Sequence, residues 1–328
     1  MSKRIVFLGT PSYACPALER LAARADAEVV LVVTQPDRPA GRGRKLHAPP
    51  VKALALDLSL PIVQAATLRT AEARSPLVAA QPDLVVVAAF GLILGHSILS
   101  LPPMGCVNLH ASLLPRYRGA NPIAAAIASG DQTTGVSLMR MERGLDTGPV
   151  YDQTEMDITD DDTTGSLTER LGRRGADLLD QRLAALLDGS AAAEEQGAGA
   201  TCTRPMVKDD GWIDWTRPAD AIERHIRAMW PWPRAWTTLP DGGRVQIHAS
   251  NVVAHPGVAP GTLASLGSDF VVGCGDGALR LRTVQIAGGK PGGGAILRPR
   301  IATTADARLG QVGGPRQLKP LVMPCSGK

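Results

Sequence analysis

The first half of the chain alternates short apolar runs with stretches of helical periodicity. The apolar runs occupy residues 4–8, 28–33, 84–89 and 105–109, and the helical patterns occupy residues 17–24, 51–58 and 71–80. Strands that alternate with helices favour a parallel sheet covered by helices, so the sequence predicts a Rossmann-like α/β domain. In such open sheets, ligands bind beyond the carboxyl ends of the strands.

In the remainder of the chain, the predicted secondary structure changes twice. Two more strands are predicted at residues 135–141 and 150–156, then a long amphipathic helix at 163–187. Residues 189–200 are rich in Ala, Gly and Glu without periodicity, which is typical of a linker. Short β-like runs at 244–250, 270–274 and 278–285 favour a small antiparallel barrel. We expect an N-terminal domain at 1–188, a linker at 189–207 and a C-terminal domain at 208–328, with an unassigned tail from about residue 301.

The residues suited to catalysis lie where the fourth apolar run ends. Asn108 and His110 are two positions apart, so on a strand both side chains project to one face. An amide beside an imidazole can stabilise a carbonyl oxygen that gains negative charge, as acyl transfer requires. Asp146 lies between Gly144 and Gly148 in a loop that can bring its carboxylate to His110. These three residues form the predicted catalytic set.

A histidine on an apolar strand is more often a satisfied core residue than a catalyst. The sequence after His110 favours the catalytic interpretation, because residues 112–119 read Ser-Leu-Leu-Pro-Arg-Tyr-Arg-Gly. We expect Leu113 and Leu114 to be exposed to a crevice at the strand end, with two arginines just beyond it.

The run Asn-x-His-x-Ser-Leu-Leu-Pro-x-x-Arg-Gly from Asn108 to Gly119, followed by the Leu-Asp-Thr-Gly at residues 145–148, resembles the formyltransferases that use 10-formyltetrahydrofolate. The resemblance implies formyl transfer without a metal, with Asn108, His110 and Asp146 as catalytic residues. It also implies that the C-terminal barrel is OB-like. The residues it places around the folate are Phe90, Gly91, Leu92, Ser112, Leu113, Leu114 and Pro115.

A basic loop carries the strongest sign of an RNA partner. Residues 38–48 contain no acidic residue, and their cations are Arg38, Arg42, Arg44 and Lys45. Guanidinium groups on a glycine-containing arm can contact phosphates or base edges, although a solvated surface loop is the simpler alternative. This loop and residues 90–94, 209–215 and 226–233 resemble the family members that formylate the methionine carried by initiator tRNA for translation initiation.

The second half of the chain adds to this expectation. Residues 1–200 carry 19 basic and 22 acidic side chains, against 16 and 9 in residues 201–328. This asymmetry points to a polyanionic partner for the C-terminal half, although on charge alone a solvated basic surface is the simpler alternative. All five tryptophans lie at 212–236 among arginines that include Arg227. We expect most of these tryptophans to pack between domains and the arginines, Arg227 among them, to contact tRNA.

Composition fits a soluble enzyme of the cytoplasm, and we expect it to act as a monomer. The chain has 328 residues, 44% of them hydrophobic, and its N-terminus enters a strand without the pattern of a signal peptide. No apolar run is long enough to span a membrane. The five cysteines have no paired spacing, so we expect free thiols and no zinc site.

Two alternative functions remain at this stage. A formyltransferase acting on a nucleotide sugar or glycinamide ribonucleotide would share the catalytic set, but it has no need of a basic loop and a basic C-terminal domain. A non-catalytic RNA-binding protein on the same scaffold has no need of Asn108, His110 and Asp146.

Overall fold

The computed structural model describes residues 2–40, 43, 45–254, 257–266, 269–301, 308–315 and 319–325. The strands of its N-terminal unit are β1 (Lys3–Gly9), β2 (Ala27–Thr34), β3 (Arg38–Ala40), β4 (Lys45–His47), β5 (Ile62–Gln64), β6 (Leu84–Ala88), β7 (Cys106–His110), β8 (Arg118–Gly119), β9 (Thr133–Arg140) and β10 (Val150–Asp157). The helices are α1 (Cys15–Ala22), α2 (Pro50–Asp57), α3 (Ala71–Ala79), α4 (His96–Leu99), α5 (Pro122–Ser129) and α6 (Thr164–Asp188).

Seven strands form the central sheet, in the order β10-β9-β7-β6-β1-β2-β5. The strands from β7 to β5 run parallel, whereas β9 and β10 are antiparallel additions at one edge. Successive residues of β1 enter different cores, Ile5 and Phe7 on one face and Val6 and Leu8 on the other. Burial on both faces explains why these strands read as continuous apolar runs, and the predicted α/β class is confirmed.

The strand order reverses between β1 and β6. The chain passes from β1 to β2 and β5, then returns to β6 on the other side of β1, which opens a crevice at the carboxyl ends of these strands. Across it, Thr10 Oγ1 and Gln35 Nε2 both donate to the Phe90 carbonyl oxygen, at 3.1 and 2.9 Å. The loop after β6 is therefore fixed to the loops after β1 and β2.

The predicted long helix is confirmed as α6, and its ends follow from local chemistry. Thr163 Oγ1 accepts from the Ser166 amide at 3.2 Å, and Ser166 Oγ accepts from the Thr163 amide at 3.0 Å. This reciprocal pair caps the start of the helix. Gly189 ends it with a left-handed φ of 79°, a conformation that glycine adopts without steric cost.

The C-terminal unit is built mainly from antiparallel strands. Its elements are β11 (Thr201–Thr203), α7 (Ala219–Ala228), β12 (Ala235–Thr238), β13 (Arg244–Val253), β14 (Leu263–Leu266), β15 (Asp269–Gly273), β16 (Ala278–Ile286), α8 (Arg298–Ile301) and β17 (Val322–Pro324). Five of the strands form a sheet in the order β12-β13-β16-β15-β14. The apolar core is continuous from the N-terminal unit through α7 into this sheet.

The segment expected to be a linker is packed along the N-terminal unit. Glu194 and Val150 exchange two backbone hydrogen bonds of 2.8 Å. Further along, β11 pairs in parallel with β8 and antiparallel with β17, so this short sheet joins the segment to the tail. The sequence did not predict a structure for the tail, and the structure shows that β17 is a strand of this short sheet.

The expectation of five free thiols was wrong. Cys202 on β11 and Cys325 after β17 form a disulfide, while Cys15, Cys106 and Cys274 are free. The two bonded residues are 123 positions apart, and only the pairing of β11 with β17 brings them together. Sequence spacing therefore carried no sign of the bond.

The tryptophans pack within the C-terminal unit, so the expected packing between domains was wrong for three of them. The rings of Trp212 and Trp236 meet edge to face with centroids 4.9 Å apart. Trp215 is buried, and its Nε1 donates to Thr237 Oγ1 at 3.0 Å. Trp232 is 52% exposed.

Within the part of the chain that the structure describes, no helix combines the length and apolar character needed to cross a bilayer.

The disulfide leads to a thiol-counting prediction. Protein purified under air, then denatured without reductant, should react with three equivalents of a thiol reagent, and with five after reduction. Cys325→Ser should give four before and after reduction, because Cys202 loses its partner. Five reactive thiols in the unreduced wild type would contradict the bond between β11 and the tail.

Candidate active site

Asn108 lies on the central part of the sheet, near the carboxyl end of β7. This strand is bordered by β6 and β9, and Asn108 is only 8% exposed. Its side-chain amide has no hydrogen-bond partner among the residues that the structure describes. An amide without a protein partner at the carboxyl end of a strand in an open sheet is available to a bound ligand.

The ring of His110 is oriented by a backbone carbonyl. His110 is 6% exposed, and its Nε2 lies 2.9 Å from the carbonyl oxygen of Tyr117. A carbonyl can only accept, so Nε2 carries the hydrogen and donates it. The other ring nitrogen, Nδ1, is therefore the atom that can gain or lose a proton, and it lies 3.6 Å from Asp146 Oδ2.

Asp146 is held against His110 by the backbone of β8. The Gly119 amide donates to Asp146 Oδ2 at 2.8 Å, so one carboxylate oxygen faces both this N–H and the imidazole. Asp146 has a φ of 50°, a left-handed conformation that aspartate tolerates better than most residues. The structure thus brings the loop of Gly144 and Gly148 to His110, as the sequence predicted.

Tyr117 supplies the carbonyl that orients His110, a role the sequence did not indicate. Its φ is 57°, its amide donates to Thr201 Oγ1 at 2.9 Å, and its hydroxyl donates to Asp131 Oδ2 at 2.8 Å. Burial raises the pKa of Tyr117, which keeps the phenol protonated as a donor. Every residue has a backbone carbonyl, so residue type cannot reveal this role. The only sequence signal at this position is the Arg-Tyr-Arg-Gly run at residues 116–119.

The loop after β7 is held by a hydrogen bond within the loop and by two hydrogen bonds to Ser137 on β9. Ser112 is fully buried, and its hydroxyl donates to the Arg116 carbonyl at 2.7 Å. Ser137 Oγ donates to the Ser112 carbonyl at 2.6 Å and accepts from the Leu114 amide at 3.0 Å. Leu113 is half-buried, but Leu114 is buried at 6% exposure, so the expected exposure of both leucines was wrong for Leu114.

The other predicted folate residues lie at the reversal of strand order. Phe90 is buried, Leu92 is half-buried and Gly91 is exposed. Since the Phe90 carbonyl already accepts from Thr10 and Gln35, the backbone of this loop is fixed in position. Pro115, half-buried, closes the loop after β7.

The predicted tRNA contacts differ in how available they are. Arg38 and Lys45 are exposed on the hairpin of β3 and β4, whereas Arg42 and Arg44 lie outside the described residues. Arg227 bonds both oxygens of Glu223 at 2.8 and 2.9 Å, and it donates to the Asp162 carbonyl at 2.9 Å. The structure therefore places Arg227 at the junction of α6 and α7, with its guanidinium already bonded.

Among the described residues, no group of three or more His, Cys, Asp or Glu side chains is arranged to hold a metal ion.

The geometry specifies a class of chemistry. A free amide, an imidazole with one fixed nitrogen and a carboxylate beside the other nitrogen can bind a carbonyl group and stabilise charge on its oxygen. The carboxylate can also accept the proton of an attacking nucleophile. On the carboxyl edge of an open α/β sheet, such a site is suited to acyl transfer.

Comparison with known proteins defines the family. The chain belongs to the formyl transferase family: the formyl transferase model matches residues 3–183, and the model of the formyl transferase C-terminal domain matches residues 205–295. A methionyl-tRNA formyltransferase of Pseudomonas putida is 50% identical over 291 residues, covering 88% of this chain and 92% of that protein.

Solved structures share the fold. An N-formyltransferase from Helicobacter canadensis, in complex with folinic acid and dTDP-3-aminofucose, has a TM-score of 0.62 at 18% identity and covers 86% of this chain and 99% of its own. A methionyl-tRNA formyltransferase from Clostridium thermocellum has a TM-score of 0.54 at 16% identity and covers 76% of this chain and 94% of its own.

The close approach of β8 and β11 generates a prediction at Gly119. Its φ is 105°, and a Cβ there would lie 2.3 Å from the Thr203 carbonyl oxygen. Gly119→Ala should displace the amide that binds Asp146 and lower kcat on the order of 100-fold, measured by steady-state formylation. Gly288→Ala is the matched control, because Gly288 also has a positive φ of 79° but no atom within 4 Å. Equal activity of the two variants would contradict the importance of this close approach.

Proposed function

We propose that the protein transfers the formyl group of 10-formyltetrahydrofolate to the α-amino group of methionine on initiator Met-tRNA. The products are N-formylmethionyl-tRNA, for translation initiation, and tetrahydrofolate. The observation that carries the proposal is the placement of Asp146 Oδ2 3.6 Å from His110 Nδ1, with Asn108 two residues before His110 on β7. The acceptor follows from the 50% identity with a relative named methionyl-tRNA formyltransferase.

Asn108 and His110 stabilise the oxygen of the formyl group. The free amine attacks the formyl carbon, and the carbonyl electrons move to oxygen as the tetrahedral intermediate forms. The Asn108 amide and a proton on His110 Nδ1 are the donors available to that oxygen. With Nε2 bonded to Tyr117, the ring cannot turn away from it.

Asp146 supports His110 and removes the proton of the attacking amine. Its Oδ2 is occupied by the Gly119 amide and faces His110, which leaves Oδ1 to accept the proton through water. When the intermediate collapses, the bond between the formyl carbon and N10 of the folate breaks, and N10 takes up a proton. The transfer is direct, with no covalent enzyme intermediate.

The folate is proposed to bind where the sheet reverses its strand order. Phe90, Gly91 and Leu92 follow β6 at this crevice, and the loop containing Ser112, Leu113, Leu114 and Pro115 follows the adjacent β7. Rigid backbone of this kind offers amide and carbonyl groups to a pterin ring without reorganisation.

The tRNA is proposed to contact the basic arm and the C-terminal unit. Arg38 and Lys45 are exposed at the base of the arm, and Arg42 and Arg44 fall between them in sequence. We infer that the five-stranded C-terminal sheet is an OB-like barrel, a class that often binds nucleic acids. We propose that the protein acts as a monomer in the cytoplasm.

The first prediction of this proposal concerns the catalytic pair. Asn108→Ala and His110→Ala should each lower turnover on the order of 100-fold or more while the fold persists, because each removes a donor to the developing oxyanion. Asn251→Ala and His96→Ala, at exposed positions, serve as matched controls. Near-normal turnover of either catalytic variant, measured with saturating substrates, would refute its assigned role.

The second prediction concerns the acceptor. With 10-formyltetrahydrofolate, the protein should formylate charged initiator tRNA far faster than charged elongator tRNA, a nucleotide amino sugar or glycinamide ribonucleotide. Preference for either small acceptor would instead support the small-molecule alternative, and no transfer to any acceptor would support the non-catalytic RNA-binding alternative.

The basic arm supplies a variant for the same assay. Neutralising Arg38, Arg42, Arg44 and Lys45 together should weaken use of Met-tRNA but leave folate binding intact. The slope of log affinity against log salt should fall by about one for each phosphate that the arm no longer neutralises. A control with equal charge change replaces Lys3, Arg69, Arg173 and Arg174, which lie outside residues 38–48 of the sequence, by glutamine. If both variants behave alike, the arm does not bind the tRNA specifically.

A further inference from the structure

Asp146 needs more support than its own loop can provide. It lies outside the regular elements, in a left-handed conformation with a φ of 50°. Leu145, its neighbour, is 60% exposed, so burial of this side chain contributes little to holding the loop. A non-glycine residue stays in such a conformation only when its surroundings hold it there.

Gln196, on the segment between the two units, provides a direct anchor. Its Nε2 donates to the carbonyl oxygens of Asp146 and Gly148, both at 2.8 Å. The two hydrogens of one amide are thereby used on two carbonyls of the same loop. These bonds fix the backbone on either side of Thr147, and with it the direction in which the Asp146 side chain leaves the chain.

The oxygen of Gln196 is fixed in turn by Arg118. Arg118 Nε and Nη2 donate to Gln196 Oε1 at 3.0 and 2.7 Å, so the amide cannot rotate without breaking both bonds. Arg118 also directly precedes Gly119, whose amide binds the Asp146 carboxylate. The two residues of β8 therefore both support Asp146. The Gly119 amide binds its carboxylate, and the Arg118 side chain binds Gln196, which holds the loop.

We propose that Gln196 is a positioning residue for the reaction, which aligns Asp146 with His110 through its bonds to the Asp146 and Gly148 carbonyls. The inference rests on the catalytic role of Asp146 in the proposed function. Gln196 does not touch the reacting groups, and its side chain is not needed to fix its own segment, because Glu194 and β11 are already paired by backbone hydrogen bonds.

The test begins with Gln196→Met, which keeps the length of the side chain but removes all four hydrogen bonds. We expect kcat, measured in steady state with initiator Met-tRNA, to fall about 10- to 100-fold, because a reactive carboxylate loses the hydrogen bonds that orient it. KM for the folate and for Met-tRNA should stay within about twofold. Gln132→Met is the matched control, since Gln132 is exposed and donates to the Gly130 carbonyl.

A second variant distinguishes the role of the amide oxygen of Gln196 from that of its nitrogen. Gln196→Glu retains an acceptor for Arg118 but loses the donors to the loop, so it should be at least as slow as Gln196→Met. The unfolding transition of both variants should lie close to that of the wild type. If Gln196→Met fails to fold, Gln196→Glu carries the same measurement.

The decisive comparison is a double-mutant cycle with Asp146→Asn. If Gln196 acts through Asp146, Gln196→Met should change the residual rate of Asp146→Asn less than about twofold. Losses that multiply would overturn the inference, because Gln196 would then act independently of Asp146. If Gln196→Met has a normal kcat while Asp146→Asn is impaired, the inference about Gln196 is wrong but the proposed function stands. If Asp146→Asn itself has a normal kcat, the proposed role of Asp146 is wrong.

Discussion

The hydrogen bond from the Gly119 amide to Asp146 Oδ2 is the interaction on which the arrangement of the site depends. It is 2.8 Å long and fixes the oxygen that faces His110. Gly119 can occupy its place only because it has no side chain to meet β11, and Asp146 can reach it only from a left-handed backbone. Three segments far apart in sequence must therefore pack correctly before the imidazole and the carboxylate meet.

This requirement links the site to both halves of the chain. Gly119 belongs to the short sheet of β8, β11 and β17, and the disulfide joins Cys202 on β11 to Cys325 just after β17. Arg204, next to β11, bonds Asp210 and the tail carbonyls of Lys319 and Pro320. Although burial alone would raise the pKa of Asp210, its bonds to Arg204 and the Val207 amide lower it, which keeps the pair ionised. The described part of the tail is thus bonded to the framework that holds the candidate site.

The basic residues divide into two groups that their number alone does not separate. In the first group, the guanidinium nitrogens donate to carbonyl, amide or carboxylate oxygens within the protein; this group includes Arg118, Arg204 and Arg227. Arg38 and Lys45 are exposed at the base of the arm, although one guanidinium nitrogen of Arg38 also donates to Gln35 Oε1. Since a guanidinium bonded inside the protein contributes little to phosphate binding, the positive charge of the C-terminal half overstates the surface available to RNA.

The sequence by itself determined the α/β class, the positions of β1, β2, β6, β7 and α6, and the pairing of Asn108 and His110 on one strand. These features depend on periodicity, capping and short-range spacing, which are local properties of the chain. The disulfide, the packing of the tryptophans, the carbonyl of Tyr117 and the anchoring by Gln196 were decided only by the tertiary structure. The disulfide and the anchoring by Gln196 join segments far apart in the chain, and they depend on which strands become neighbours. The Tyr117 carbonyl and the tryptophans make shorter-range contacts that depend on how the backbone turns and packs, which residue type and spacing do not encode.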